Sequence, residues 1–248
     1  MKTFIFYLGI ALLFIFVAAE RNAPQAQQLP FFSPYPHLDR TRWHPSSGWA
    51  NGDWQSCEWR ADDLSGVDGN LQLRLSDKGG KLRRYDCAEI HSAARMKYGR
   101  YAARLRAAAG SGLNTAFFTY IGPPVGVPSH EEIDFEFLGK NTHAVEITYW
   151  KYGKKYDHVV IPLKYDASAA FHNYAFEWTP TAIRWYVDGR QVHETPAKAP
   201  IPEKAARIYL SLWSGSAVEN SWMGPFVYQK PVTAEVAWVK YTPLKVKP

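Results

Sequence analysis

The chain has 248 residues, of which 46% are hydrophobic and 15% aromatic, and its formal net charge is +6. This length and composition are sufficient for one well-filled core, so we expect a single folded domain. The positive charge suits an anionic partner or ordinary solubility. Nucleic-acid binding is disfavoured, because the sequence has no helix with concentrated Lys and Arg.

The first 19 residues have the pattern of a secretory signal, with a basic start at Lys2, a long apolar run and small residues ending at Ala19. An uncleaved membrane anchor is the alternative, since the run is nearly long enough to span a bilayer. We expect a secreted or periplasmic protein without stable membrane association after cleavage. Residues 20–40, rich in Pro and Gln, are expected to be an extended lead-in without regular structure, followed by one domain over residues 41–245.

Cys57 and Cys87 are the only two cysteines of the chain. Because an exported protein can oxidise such a pair, a disulfide is predicted, which would close a loop of about 30 residues. Two buried free thiols are the alternative. A metal site is not expected, since neither cysteine lies in a CxxC motif or near a tight His cluster.

Beyond residue 40, short segments alternate between apolar and polar residues and are separated by turn residues, a pattern typical of β-structure. Strands are predicted, in chain order, in NLQLRLSD, HAVEITYW, ARIYLSLW and TAEVAWVKYT. Before the third of these, AIRWYVDGRQVHET predicts a hairpin with Asp188 and Gly189 in its turn. These segments predict an all-β fold of two antiparallel sheets packed face to face.

The segment HEEIDFEFLGK, residues 130–140, places acidic residues at every second position of a predicted strand. Glu132, Asp134 and Glu136 therefore point to one face, while the intervening Ile and Phe side chains point to the core. Adjacent carboxyl groups raise each other's pKa, which suits a site that needs a protonated acid beside an ionised base. A solvated strand face or a calcium site fits less well, because aromatic residues surround the segment and calcium prefers a loop-based cage.

The two glutamates lie about 13 Å apart along a strand. Leaning side chains on a bent strand would bring the carboxyl groups to roughly 5 to 6 Å, the separation of retaining glycosidases. The sequence itself does not assign which glutamate is the nucleophile. Ten Trp and fifteen Tyr also favour a sugar substrate, since sugar rings stack on exposed aromatic rings.

EEIDFEFLGK resembles the catalytic motif of glycoside hydrolase family 16, the laminarinase and lichenase group with a concanavalin A-like β-jelly roll. The resemblance extends from about Trp43 to Tyr241, through NGDWQSCEWR, DCAEI, SGLNTAFFTYIGP and YAFEWTPTAIRWYVDG. It implies that Glu132 is the nucleophile, Asp134 its helper and Glu136 the general acid/base. The two cysteines match the lichenase disulfide pair.

The resemblance also implies substrate-binding residues. Three departures from the lichenase pattern indicate a remodelled cleft: His91 replaces an Arg, His130 replaces a Trp, and ITYW, ending at Trp150, replaces FNYY. With these positions included, the expected substrate-binding residues are Asn51, Glu89, His91, Tyr120, His130, Trp150, Trp213 and Trp222.

SGLNTAFFTYIGP and these departures are most similar to rhizobial endo-β-1,3-1,4-glycanases that shorten succinoglycan, an acidic exopolysaccharide. This resemblance implies a secreted endo-acting retaining β-glycanase acting on an anionic polysaccharide. Arg83, Arg84 or Lys97 would supply a positive charge to the cleft. The alternatives are a lichenase acting on mixed-linkage β-glucan, a transglycosylase, and a binding module without catalysis.

Lichenases carry a structural calcium with an Asp ligand near the C-terminus, and Ala237 stands at the matching position here. Calcium is therefore not expected, and no other cofactor or metal is predicted. We expect a monomer, because an endo-acting enzyme needs a long open cleft. GPPVGVP, residues 122–128, is expected to form a stiff loop at the border of this cleft.

Overall fold

The structure is a computed structural model that describes residues 31–34 and 39–244. Its strands are β1 (Phe31–Pro34), β2 (Trp43–Pro45), β3 (Cys57–Trp59), β4 (Leu64–Val67), β5 (Asn70–Leu75), β6 (Tyr85–Ser92), β7 (Gly99–Arg106), β8 (Leu113–Tyr120), β9 (Glu132–Leu138), β10 (Ala144–Lys151), β11 (Lys154–Pro162), β12 (His172–Trp178), β13 (Ile183–Val187), β14 (Arg190–Glu194), β15 (Arg207–Ser214) and β16 (Val232–Pro243). One helix, α1 (Asn220–Met223), and two 3₁₀ turns, Ala61–Asp63 and Ala217–Glu219, complete the elements.

The strands form two sheets. One, here called the outer sheet, has the order β14-β13-β12-β7-β16-β5-β4, with β1 paired to β16. The other, here called the cleft sheet, has the order β11-β10-β9-β8-β15-β6-β2, with β3 paired to β6. Neighbouring strands in each order run antiparallel; only the added pair β3–β6 is parallel among the described pairs. The predicted all-β jelly-roll sandwich is confirmed.

The core lies between the two sheets and follows from the alternation in the strands. In β7 every second residue is buried, from Gly99 to Leu105. In β9 the apolar residues Ile133, Phe135 and Phe137 are at most 1% exposed. Across the layers, the Phe135 ring lies 5.7 Å from that of Tyr174. Each such side chain contributes about 1.5–3 kcal/mol by its burial, so the apolar face of β9 anchors the strand that carries the acids.

The predicted turn chemistry is confirmed at the hairpin between β13 and β14. Asp188 has φ of 47° and Gly189 φ of 80°. A tight primed turn requires positive φ at both central residues, which Asp and Gly tolerate better than other residues.

The lead-in was expected to lack regular structure, and for residues 31–34 this expectation is wrong. These residues form β1, whose residue Phe32 pairs with Lys240 of β16. Ser33 is buried, and its Oγ accepts a hydrogen bond from Trp43 Nε1 at 3.2 Å. The strand satisfies backbone groups of β16 that an open edge would expose.

The predicted signal segment, residues 1–19, lies outside the described residues. In the part of the chain that is described, no helix has the length and apolar character needed to cross a membrane.

The Cys57–Cys87 disulfide is present and joins β3 to β6. Both cysteines are completely buried, and Gln55 Nε2 donates a hydrogen bond to Cys87 Sγ at 3.2 Å. The bridge closes a loop over a sequence separation of 30 residues. It therefore fixes β3 to β6, the strand next to the edge strand β2 of the cleft sheet.

We expect the double variant Cys57→Ala/Cys87→Ala to unfold with a free energy about 3–4 kcal/mol lower than that of the parent. For a domain of this size, this corresponds to a melting temperature lower by roughly 10 °C, measurable by calorimetry. A reducing agent is expected to destabilise the parent but not the variant. Equal melting temperatures for the oxidised parent and the variant would contradict a stabilising bridge.

Candidate active site

The three acidic residues of β9 lie on the outward face of the cleft sheet, and strand register places a row of residues beside each of them. Paired residues of neighbouring strands point to the same face. The row of Glu132 contains Trp150, Tyr120 and Arg207. The row of Asp134 contains Thr148, Phe118, Tyr209, His91 and His44. The row of Glu136 contains Glu146, Ala116, Ser211 and Glu89.

This face holds a cleft of about 840 Å³. The three acids of β9 line it together with seven of the eight expected substrate-binding residues: Asn51, Glu89, His91, Tyr120, Trp150, Trp213 and Trp222. Gly122 and Val125 also line it, so the loop over residues 122–128 borders the cleft as predicted.

His130 is the eighth expected residue, and the structure does not place it in the cleft. Its side chain is 0% exposed and lies behind Glu132. The Gly126 N–H donates to Nδ1 of the ring at 3.3 Å, and Nε2 lies 2.6 Å from Glu132 Oε2. Since Nδ1 accepts a hydrogen bond, Nε2 carries the proton and donates to the carboxylate. The expectation of direct substrate contact is therefore corrected: His130 contacts the side chain of Glu132.

Asp134 is buried between the two glutamates and is 3% exposed. Burial raises its pKa well above the usual range, and the neighbouring carboxylates of Glu132 and Glu136 raise it further. These effects favour the protonated form of Asp134, and its hydrogen bond to Glu132 favours this form too. His130 and Asp134 both donate to Glu132, which fixes the orientation of its carboxylate.

Glu136 has a different environment. Its Oε1 accepts a hydrogen bond from Asn114 Nδ2 at 3.0 Å. Burial is the main cause that raises the pKa of Glu136 to about 7; the Asn114 hydrogen bond opposes this, and the charge of Glu132 adds to it. Near neutral pH this group therefore exchanges readily between the acid and the carboxylate, as a general acid/base must.

A fourth carboxyl group, that of Glu89, lies in the same row as Glu136 and is 5% exposed. Ser46 Oγ donates to its Oε1 at 2.6 Å. Burial raises the pKa of Glu89 to about 7, despite the Ser46 hydrogen bond, and Glu132 contributes. A half-protonated carboxyl group both donates and accepts hydrogen bonds, which suits contact with sugar hydroxyl groups.

Glu146 fixes two residues of the cleft wall. Its Oε2 accepts a hydrogen bond from Trp222 Nε1 at 2.9 Å and lies 2.5 Å from His158 Nε2. Trp222 and His158 both line the cleft. The indole ring is thus held in place by its polar edge, while its faces remain available to a ligand.

Several lining residues were not found from the sequence: Trp49, Trp54, Trp59, Phe118, Lys155, His158, Tyr209 and Ser211. Tyr209 and Ser211 of β15 could have been found from the alternation of the strand. Ile208, Leu210 and Leu212 are core residues, so the positions between them must face outward. The three Trp residues come from segments around β3 without a clear period, so sequence patterning could not locate them.

The cationic residues named from the sequence do not line the cleft. Arg83 Nε donates to Gln55 O at 3.1 Å, Arg84 packs over the Tyr85 ring, and Lys97 packs over the Tyr98 ring. Within the described ranges, Lys155 is the only Lys or Arg that lines the cleft. The expectation for Arg83, Arg84 and Lys97 is therefore corrected. Strand register places Lys155 beside Trp150, and both residues line the cleft.

The comparisons with known proteins agree with this geometry. The family model described as glycosyl hydrolases family 16 matches residues 51–240. The chain is 43% identical to the endo-1,3-1,4-beta-glycanase ExoK of Rhizobium meliloti, over 86% of this chain and 78% of that protein. It is 39% identical to a beta-glucanase of Paenibacillus macerans, over 86% and 87% of the two chains.

Among solved structures, the Bacillus licheniformis beta-glucanase matches with a TM-score of 0.81 at 34% identity, over 88% of this chain and 100% of that one. A lichenase from a mouse hindgut metagenome matches with a TM-score of 0.81 at 35% identity, over 87% of this chain and 99% of that one. The sequence match and the shared fold lead to one conclusion: the chain belongs to glycosyl hydrolase family 16.

Proposed function

We propose that this protein is an endo-acting, retaining β-1,3-1,4-glycanase with Glu132 as nucleophile, Asp134 as its helper and Glu136 as general acid/base. The observation that carries the proposal is the set of three carboxyl groups on one face of β9, each in a different environment. Glu132 accepts hydrogen bonds from two donors, the pKa of Asp134 is raised by burial and by its two neighbours, and Glu136 has a pKa near neutral. Separated acid and base roles of this kind are what glycoside hydrolysis requires.

In the first step, a Glu132 oxygen attacks the anomeric carbon while the glycosidic C–O bond breaks, and Glu136 gives its proton to the departing oxygen. A glycosyl ester on Glu132 results, and Glu136 is left as a carboxylate. In the second step, Glu136 takes a proton from water, whose oxygen attacks the anomeric carbon and releases Glu132. The proton on Glu136 is thereby restored.

An anionic polysaccharide is the proposed substrate class, with a bacterial exopolysaccharide such as succinoglycan as the leading candidate. Two features support an anionic substrate: the net positive charge of the chain and Lys155 in the cleft. The Rhizobium relative, named an endo-1,3-1,4-beta-glycanase, supports the proposed linkage. Cereal mixed-linkage β-glucan is the second candidate, supported by the relatives named beta-glucanase. We also propose a monomer, exported by removal of residues 1–19.

Reducing-end release from succinoglycan and from cereal mixed-linkage glucan, measured in parallel, tests this proposal, with Glu132→Gln as the inactive control. Preferential cleavage of succinoglycan is the expected result. Preference for cereal glucan would replace the acidic substrate with a neutral one. Release from neither polymer would contradict the proposed activity.

His130 is proposed as a positioning residue for Glu132. We expect His130→Leu to lower kcat by about 10- to 100-fold with little change in KM, because a hydrogen bond to a charged group contributes about 1.5–3 kcal/mol. His130→Gln, whose amide can donate from a place similar to that of Nε2, is the matched variant and should recover most of kcat. If Leu and Gln reduce kcat equally, the hydrogen bond has no part in catalysis.

A further inference from the structure

The outer sheet carries a second concave site, on the side of the molecule away from the cleft. It has a volume of about 420 Å³, and its floor is formed by Ala102 of β7 and Ala175 of β12. The two residues are direct cross-strand partners. Alanine has low strand propensity and a short side chain, so two paired alanines on an outward face leave a depression. We call this depression the outer trough.

A β-bulge in β16 supplies one wall of the outer trough. The register of β16 against β7 shifts between Val236 and Trp238. Before the shift Ala234 and Val236 face the core, and after it Val239 and Tyr241 do so. The extra residue thus reverses the facing of the strand and turns Trp238 and Lys240 outward into the outer trough.

Trp238 gives the outer trough an aromatic surface. Its ring is partly exposed and packs at 5.9 Å against the ring of Phe32, which is 51% exposed. The two rings form one contiguous aromatic patch on the outward sheet face, and it is such patches, rather than single exposed residues, that mark binding surfaces. An indole face held by a neighbouring ring is a platform for the C–H face of a sugar ring.

The charges around the outer trough are mainly positive. Arg100 lines it and packs at 4.3 Å over the Tyr186 ring, and Lys240 lines it from the next strand. Neither residue forms an ion pair with any group in the described ranges. Arg104 lies in the adjacent row, between Asn173 and Trp238. These cations remain available to an anionic group.

Acceptors for sugar hydroxyl groups are also present. Asp188 lines the outer trough beside Asn173, and its Oδ1 accepts a hydrogen bond from the Asn173 N–H at 2.9 Å. Its other oxygen lies 2.7 Å from His172 Nδ1. These contacts hold the carboxylate in position at the turn that joins β13 and β14.

We propose that the outer trough is a non-catalytic binding site for one acidic sugar residue of a polysaccharide chain. The ring packs on Trp238, the carboxylate of the sugar pairs with Arg100 and Lys240, and its hydroxyl groups donate to Asp188. A nucleic acid would need a series of cations that follow its phosphates, whereas here one carboxylate and two cations line a short trough. The site holds the polymer near the enzyme while the cleft acts on another segment, which raises the effective concentration of substrate.

The test is the affinity for a short oligogalacturonate, measured by calorimetry on the Glu132→Gln protein. We expect binding, with affinity lowered about tenfold or more by Trp238→Ala and by Arg100→Gln/Lys240→Gln. Arg184→Gln removes a charge from the same sheet face outside the outer trough and should leave the affinity unchanged. Trp150→Ala, in the cleft, should also leave it unchanged.

The proposal is overturned if the parent does not bind, if the outer-trough variants bind as tightly as the parent, or if Trp238→Ala lowers the affinity for a neutral cello-oligosaccharide as much as it lowers that for the oligogalacturonate. Displacement by a short single-stranded DNA at fixed salt would assign the site to nucleic acid and overturn it too. The Arg100→Gln/Lys240→Gln pair leaves the aromatic surface intact, so the test stands even if Trp238→Ala fails to fold. Because binding is measured on an inactive protein, the result does not depend on the proposed glycanase activity.

Discussion

We expect Glu132→Gln to lower kcat at least about 10⁴-fold, the largest loss for any single substitution in this protein. An amide keeps the shape of the side chain but cannot form the glycosyl ester, and it loses the charge that His130 and Asp134 orient. The loss is measured as reducing-end release at saturating substrate. Since Glu132 lies at the cleft surface and not in the core, the melting temperature should change little.

Chemical rescue distinguishes a nucleophile from a residue that only stabilises charge. With Glu132→Ala and an activated fluoride donor, azide should enter from the vacated side and give a product of inverted anomeric configuration. The matched variant Glu136→Ala should instead give a glycosyl azide of retained configuration, because Glu132 still forms the ester. Retained configuration from the Glu132 variant would contradict its role as nucleophile.

We expect Glu136→Gln to lower kcat by about 10²- to 10⁴-fold on a polysaccharide, the range of a general acid/base contribution. The loss should be much smaller in the first step for a dinitrophenyl glycoside, whose leaving group needs no proton. Burst kinetics with this substrate separate the two steps, with a fast burst and slow hydrolysis of the ester. An equal loss on both substrates in the first step would contradict proton donation by Glu136.

The pKa of Glu136 also predicts how kcat/KM depends on pH. The acid must be protonated in the free enzyme, and burial raises the pKa of Glu136 to about 7. kcat/KM should therefore decline as the pH rises through about 7. Asn114→Ala removes a hydrogen bond that lowers this pKa, so the decline should move to higher pH. Glu89 has a similar pKa, and the matched variant Glu89→Gln should leave the position of the decline unchanged.

The strand pattern predicted much of the fold and the centre of the site. Alternation placed Glu132, Asp134 and Glu136 on one face and their apolar neighbours in the core, as the structure has them. The hairpin at Asp188 followed from turn chemistry. These features depend on local rules, a period of two and the positive φ of Asp-Gly, which a short segment contains completely.

Features set by register between distant strands were missed or misplaced. His130 was expected to contact substrate, but the turn before β9 buries it against Glu132. Lys155 lies in the cleft only because β11 pairs with β10 after a register shift, and Arg83 lies elsewhere. The bulge at Ala237, which turns Trp238 outward, leaves no clear signal in an apolar strand.

The most direct test of the account is the anomeric configuration of the product formed first, observed by proton NMR during rapid cleavage of a β-1,3-1,4-linked oligosaccharide. A double displacement through Glu132 predicts the β-anomer first, followed by slow mutarotation to the equilibrium mixture. Appearance of the α-anomer first would mean a single displacement by water. It would contradict the assignment of Glu132 as nucleophile and of Glu136 as an acid that later acts as base.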